Sequence, residues 1–250
     1  MEYQIGDYAF TTEGGGATIT RYTGTGGAVD IPSTLGGLPT VAIGQMAFEF
    51  CTSITSVTIP RSVISIGHCA FVVCNSLTSV TIPRNVTSIC DWAFAYCSSL
   101  DTVSIPDGVT SIGEGAFYRC THLTSVALGR GVTAIGNFAF QYCSALTSVA
   151  MEDGVTIIGT DAFLFCTSLA SISIPRNVTS IGDGTFYKCT HLTSITFLGP
   201  VAPAKVGTDW IENTHAAIRG HAFEASNFPG PGGHFHGLQM STRIGGRSRT

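Results

Sequence analysis

The sequence predicts an α/β-type repeat that is mainly β: a solenoid of stacked coils, one per 23 residues, with short helical or irregular turns opposite its strands. Three observations carry this. Cys51, Cys74, Cys97, Cys120, Cys143, Cys166 and Cys189 recur at a constant interval of 23, each three residues after a phenylalanine, from Phe48 to Phe186. Each unit holds an alternating stretch such as LTSVTI, in which Val80 and Ile82 flank Thr81 and follow Ser79; this is the period-2 pattern of a half-buried strand. Pro60, Pro83, Pro106 and Pro175 lack a backbone donor and stand where a strand ladder ends and the chain turns. A fixed period of this length marks an architecture in which each unit buries its apolar side only against its neighbours.

Within one unit, Val109 to Gly131 (VTSIGEGAFYRCTHLTSVALGRG) shows the order of elements. The VTSI segment is a second short extended stretch; in another copy Val63 and Ile66 return apolar residues to the core, and Gly67 is read as a residue whose φ a side chain would forbid. The AFxxCxxL segment then turns Ala, Phe, Cys and Leu inward. Stacking at about 4.8 Å per coil aligns the phenylalanines in a ladder. The cysteines align with them and are read as buried free thiols, because the spacing of 23 matches no zinc motif and parallel neighbours bond poorly to one another. Cys69 and Cys90 fall outside this column, Cys90 replacing the usual glycine.

The unit IGxxAFxxCxxLTSVTIPxxV, in seven consecutive copies between Thr40 and Pro200, resembles the BspA-like class of bacterial and archaeal leucine-rich repeats. The resemblance implies a right-handed solenoid with a parallel sheet on one face. As a function it implies adhesion or protein binding, commonly at the cell surface or in secreted form, and it implies no catalytic residues. The stretch ATITRYTGTGGAVDIPSTLGGLPTVAIG also resembles the opening cap of such proteins, with Val29, Ile31 and Pro32 matching a strand end. Four residues inserted before Ile43 fit a turn around Gly36, Gly37 and Pro39.

The expected organisation is an N-terminal cap over residues 1–39, seven repeats over 40–200, a degenerate closing cap over 201–240 and a disordered tail over 241–250. After Pro200 the pattern is lost, and only Ile218, Ala222 and Phe223 keep it. The last stretch is rich in Gly and Pro and then carries Arg243, Arg247 and Arg249.

Only 11% of the residues are charged and the net charge is −4, so no basic field exists for nucleic acid or an anionic membrane. Apolar runs are far shorter than the ~20 residues of a membrane span. The opening MEYQIGDYAF has Glu2 and Asp7 where a signal peptide would be basic, so no export signal is visible in it. No cofactor motif is present: the runs Gly14–Gly16 and Gly24–Gly27 lack the lysine of a phosphate loop. His234 and His236 offer two imidazoles without a nearby carboxylate and are read as surface residues rather than metal ligands.

What remains for function is the outward surface. The strand positions Ser79, Thr81, Thr102, Ser104, Ser125, Ser148 and Ser171 form rows of small neutral side chains. Arg84, Asp107, Arg130, Asp153 and Arg176 line the turn after the strand as a charged rim, with Asp107 placed to pair with Arg84 and Arg130. This face is the candidate site for a protein or a surface glycan, and a structural or self-associating rod is the alternative. On the other wall Phe50, Tyr96, Tyr118, Tyr142, Phe165 and Tyr187 follow the core phenylalanines, either as an exposed patch or as packing between coils. Tyr118 and His122 recur as Tyr187 and His191, 69 residues on, which reads as duplication of a three-coil block.

Overall fold

The computed structural model describes residues 1–223 and 226–241. The predicted tail falls, apart from Ser241, outside them. The chain is a mainly-β solenoid of about 9 turns. Each coil has three sides: a two-residue strand such as Ser65–Ile66, a turn segment carrying Phe71 and Cys74, and a second strand such as Ser79–Thr81.

The unbroken sheet lies on the side with the shorter strands. Gly16–Tyr22 pairs with Leu38–Ile43, and parallel pairing then runs coil by coil through Ser65–Ile66 and Ser88–Ile89 to Lys205–Val206. A glycine closes most of these strands. A Cβ on Gly67 would stand 2.8 Å from the carbonyl carbon of Gly44, and one on Gly136 2.7 Å from that of Gly113. Gly67 has no left-handed φ, so the expectation that it serves a special φ is corrected: it is small because the neighbouring backbone passes against it. The longer strands instead form three separate three-stranded groups, divided between Ser79–Thr81 and Thr102–Ser104 and again between Ser148–Ala150 and Ser171–Ile174. At both divisions the inward valine, Val80 or Val149, is only half-buried, whereas Val57, Val103 and Val126 are buried. The divisions are 69 residues apart, the interval of the duplicated block.

The turn segment is not helical; among the described residues there is no helix. Its amides alternate. Ala47, Glu49 and Cys51 donate to carbonyls three residues back, while Met46, Phe48 and Phe50 donate to His68, Ala70 and Val72 of the next coil. A helix would keep every N–H within its own segment, so this side too is stitched from coil to coil. Two residues per coil take a left-handed φ, in one column Met46, Cys69 and Trp92 and in the other Phe50, Val73 and Tyr96.

The core is one column of stacked rings. Phe71, Phe94, Phe117, Phe140, Phe163 and Phe186 follow one another with centroids 5.1–5.5 Å apart. Tyr22 stacks on Phe48 at the first end, 5.0 Å away. At the other, Trp210 meets Phe186 edge-on at 6.2 Å. The N-terminal end is an antiparallel meander of Glu2–Ile5, Tyr8–Glu13 and Gly16–Tyr22. Thr34–Leu35 and Leu38 close a hairpin over Gly36 and Gly37, both at positive φ as a two-residue turn needs.

After Pro200, where the sequence pattern is lost, the coil continues at an interval of 25: Lys205 pairs with Ser180, Val206 with Ile181, and Arg219 with Ser194. A hairpin of His234–Phe235 and Leu238–Gln239 then closes the end. Its Phe235 packs with Phe197, Phe228 and Trp210, and the Trp210 indole N–H donates to the His236 carbonyl at 2.8 Å. Gly220 takes the inward place of Ile195 because Met240 and Leu238 fill the space a side chain would need.

Candidate binding surface

The long-strand face carries the residues singled out from the sequence. Ser79, Thr81, Thr102, Ser104, Ser148 and Ser171 are exposed, and Ser125 is half-buried. Thr102 stands beside Ser125, and Ser148 beside Ser125 on its other flank. Ser79, Thr81, Arg84, Thr102 and Ser104 come together around a shallow depression of about 410 Å³ at the first division of the sheet. Ser148 and Ser171 stand on either side of the second division.

The rim residues Arg84, Asp107, Arg130, Asp153 and Arg176 are all exposed. The pairing expected of Asp107 is corrected. Its carboxylate accepts the backbone N–H of Arg130 at 2.9 Å instead of either guanidinium. Among the described residues the ion pair is two coils on, between Asp153 and the Arg176 Nε at 2.8 Å. A short aspartate at the turn reaches the amide 23 residues ahead before it reaches a long, mobile side chain. Asn85 and Asn177 brace the same turn by donating to the carbonyls of Arg61 and Asp153.

The cysteine column is structural, with a role the spacing did not reveal. Each of Cys74, Cys97, Cys120, Cys143, Cys166 and Cys189 is buried and donates its thiol hydrogen to the carbonyl of the core phenylalanine one coil back, at 3.1–3.2 Å. That carbonyl already accepts an amide three residues on, as Phe117 does from Cys120. The thiol fills its second lone pair. Burial pushes the thiols of Cys97, Cys120, Cys143 and Cys166 well up, and that of Cys189 up to about 12; a reactive thiol needs the opposite shift. Threonines do similar work outside: Thr133 and Thr156 each donate both amide and hydroxyl to the carbonyl of the threonine one coil back.

The aromatic residues of the turn side fall in two neighbouring columns. Tyr118 meets Trp92, Tyr96 and Tyr142 edge-on at 5.4–5.8 Å. Tyr142 and Phe165 stack at 4.7 Å. Phe50 is 63% exposed and Tyr96 41%, so the row is both packing between coils and surface. Two cations complete it. The Arg119 guanidinium lies 4.6 Å from the centre of the Tyr142 ring and within 6 Å of Tyr96 and Tyr118, while the Lys188 ammonium lies 4.8 Å from Phe165 and 5.3 Å from Tyr187. Sequence reading missed Arg119, Lys188 and Trp92, although the signal was present: Arg119 and Lys188 share the register position of Tyr96, Tyr142 and Phe165, two past the core ring. His122 and His191 each use Nδ1 to reach a carbonyl of the preceding coil, Ser98 and Thr167, so both copies of the duplicated block are built alike.

A depression of about 440 Å³ is bordered by Asp161, Asp183, Asp209 and Glu212, with Tyr187 on its wall. Burial and the neighbouring Asp183 raise the Asp161 carboxyl. Among the described residues no three His, Cys, Asp or Glu side chains group as a metal site; His234 and His236 point outward from the closing hairpin on either side of the buried Phe235.

The chain matches the model of the BspA type leucine rich repeat region, in six copies, over residues 41–166 and 93–217. Among solved structures, a leucine rich repeat protein of T. pallidum is 31% identical, with a TM-score of 0.64 over 83% of this chain and 86% of that one. A leucine rich cell surface protein of Faecalibacterium prausnitzii A2-165 is 26% identical over 99% and 96% of the two chains, with a TM-score of 0.46. The pneumococcal vaccine antigen PcpA is 17% identical over 98% and 78%, with a TM-score of 0.58, a likeness of fold. Comparison with the curated proteins gives no match.

Proposed function

We propose that this chain, which belongs to the BspA-type leucine-rich-repeat family, is a non-catalytic binding module of the adhesin type that meets a protein or a surface glycan. The long-strand face and its rim form the contact: Ser79, Thr81, Thr102, Ser104, Ser125, Ser148 and Ser171 with Arg84, Asp107, Arg130, Asp153 and Arg176. The observation that carries this reading is the convergence of Ser79, Thr81, Arg84, Thr102 and Ser104 on one depression where the sheet divides. Hydroxyls and one guanidinium line a concavity there, and small side chains let a partner approach the backbone. The test is saturable binding of the whole chain to a panel of extracellular proteins and glycans. Thr81→Arg with Ser104→Arg fills the depression and abolishes binding, and the ligand is recovered chemically unchanged. A ligand indifferent to that pair removes the face assignment, and a modified ligand removes the non-catalytic one.

A second reading, a self-associating rod, has its own observation. Glu2–Ile5 is the outermost strand of the long sheet, is exposed throughout, and runs parallel to the coil strands, two antiparallel steps from Gly16–Tyr22. Tyr3 and Ile5 are 44% and 47% exposed on it. An open edge of this kind templates pairing with another chain. A sedimentation coefficient that does not change with concentration rejects it.

A further inference from the structure

We infer that the column of Tyr96, Arg119, Tyr142, Phe165 and Lys188 on the turn side is a binding strip for an extended acidic glycan, with uronate carboxylates seated by Arg119 and Lys188. The first argument is conformational. All five take a left-handed φ, between 58° and 62°, which strains a residue with a Cβ. Glycine or asparagine would be the least strained choice. The other left-handed column mixes Gly115, Gly184, Asp161 and Asp209 with Met46, Cys69, Trp92 and Phe138, and the last coil of this column uses Asn213. Across five successive coils the chain places large aromatic and cationic side chains there instead.

The second argument is electrostatic. Neither Arg119 nor Lys188 has a carboxylate within 4 Å among the described residues. The rings hold Arg119 over Tyr142, and its Nε reaches the Tyr118 hydroxyl only at 3.4 Å. A pinned guanidinium with free donors matches the planar fork of a carboxylate. The two cations occupy equivalent places in the duplicated block, three coils apart, or about 14 Å at strand spacing. Nothing else on this surface repeats a positive charge at a fixed interval.

The chemistry of the strip selects a glycan over other polyanions. The turn-side amides are spent within and between coils, so a peptide gains no strand pairing. The Tyr142 face is already covered by Phe165 and Arg119, so the middle of the strip offers no open face on which a base could stack. Ring edges and tyrosine hydroxyls remain, which suit sugar hydroxyls. Asp161, Asp183, Asp209 and Glu212 gather around a depression that Tyr187 also lines; they repel a densely charged polymer but tolerate carboxylates separated by neutral sugars.

The experiment is calorimetric titration of the whole chain with a hyaluronan octasaccharide, which carries a uronate on every second sugar, and with the same oligosaccharide carboxyl-reduced to a neutral form. Binding to the acidic form alone is expected. Arg119→Lys, which keeps the charge and loses the fork, weakens it about tenfold; Lys188→Ala weakens it less. Both variants are checked for an unchanged melting temperature. Thr81→Arg with Ser104→Arg leaves binding intact, which separates this strip from the long-strand face. No heat at millimolar oligosaccharide, equal binding of the reduced form, or an unaltered affinity in Arg119→Lys overturns the inference.

Discussion

The turn side and the long-strand side of the solenoid are made from the same repeat, yet they spend their residues in opposite ways. On the turn side the inward positions hardly vary, Phe and Cys in each of the seven repeats, while the outward ones are large and differ from coil to coil. On the long-strand side the outward positions are nearly uniform Ser, Thr and Ala, and variation is pushed to the rim. The difference teaches where each kind of information sits. A position that touches the coils before and after must be the same in each, because a stacked ladder of rings or thiols works only when its members match. A position that touches solvent is released from that rule.

The steepest test of the inner column is alkaline. The five fully buried thiols of the column whose ionisation burial pushes up, Cys97, Cys120, Cys143, Cys166 and Cys189, stay protonated in the fold and ionise in the unfolded chain, and burial raises Cys51, Cys69 and Cys90 as well. Their contribution is complete below the ordinary thiol pKa and is lost as pH rises from about 9 towards 12, the range that Cys189 marks. Each costs about 1.4 kcal/mol per pH unit inside that window. The denaturant midpoint falls steeply between pH 9 and pH 11, and Cys143→Ala makes the fall shallower by one proton's worth.

A single substitution comes next. Phe117→Ala, between Phe94 and Phe140 at 5.4 Å on either side, costs about 3–5 kcal/mol. Tyr118→Ala, one residue on and half-exposed, costs far less. Equal losses in melting temperature would erase the distinction between inward and outward positions. Gly136→Ala, pressed against the Gly113 backbone, costs about 1–3 kcal/mol by overpacking, whereas Gly230→Ala meets nothing within 4 Å and is neutral by the same thermal measurement. Smallest is the rim. A double-mutant cycle on Asp153 and Arg176, exposed at 50% and 61%, returns under about 1 kcal/mol and vanishes in high salt.

Particular residues mark how far the sequence could be read. Phe117 and Cys120 declared their burial by interval alone, and Val103 and Ile105 by alternation. Gly67 was legible as an obligatory small residue but not for its reason, which is a neighbouring backbone 23 residues away in sequence. The same holds for Cys120, whose period reveals burial and not the Phe94 carbonyl it satisfies. Of the candidate surface, the rows of Ser79 and Thr81 were legible as outward, while their gathering with Arg84 at a division of the sheet was not, since no local pattern marks Val80 as different from Val126. Trp210 escaped because the last coil is two residues longer and moves it off the period.

By itself the sequence determined the period, the inward columns and the mainly-β coil, because each follows from spacing within one repeat. The tertiary structure decided which side holds the continuous sheet, that the turn segment stitches outward instead of coiling into a helix, how Trp210 and Phe235 close the end, and that Arg119 and Lys188 share one strip with the rings. All four depend on contacts between residues 23 or more apart, where register and backbone approach, and not residue type, set the outcome.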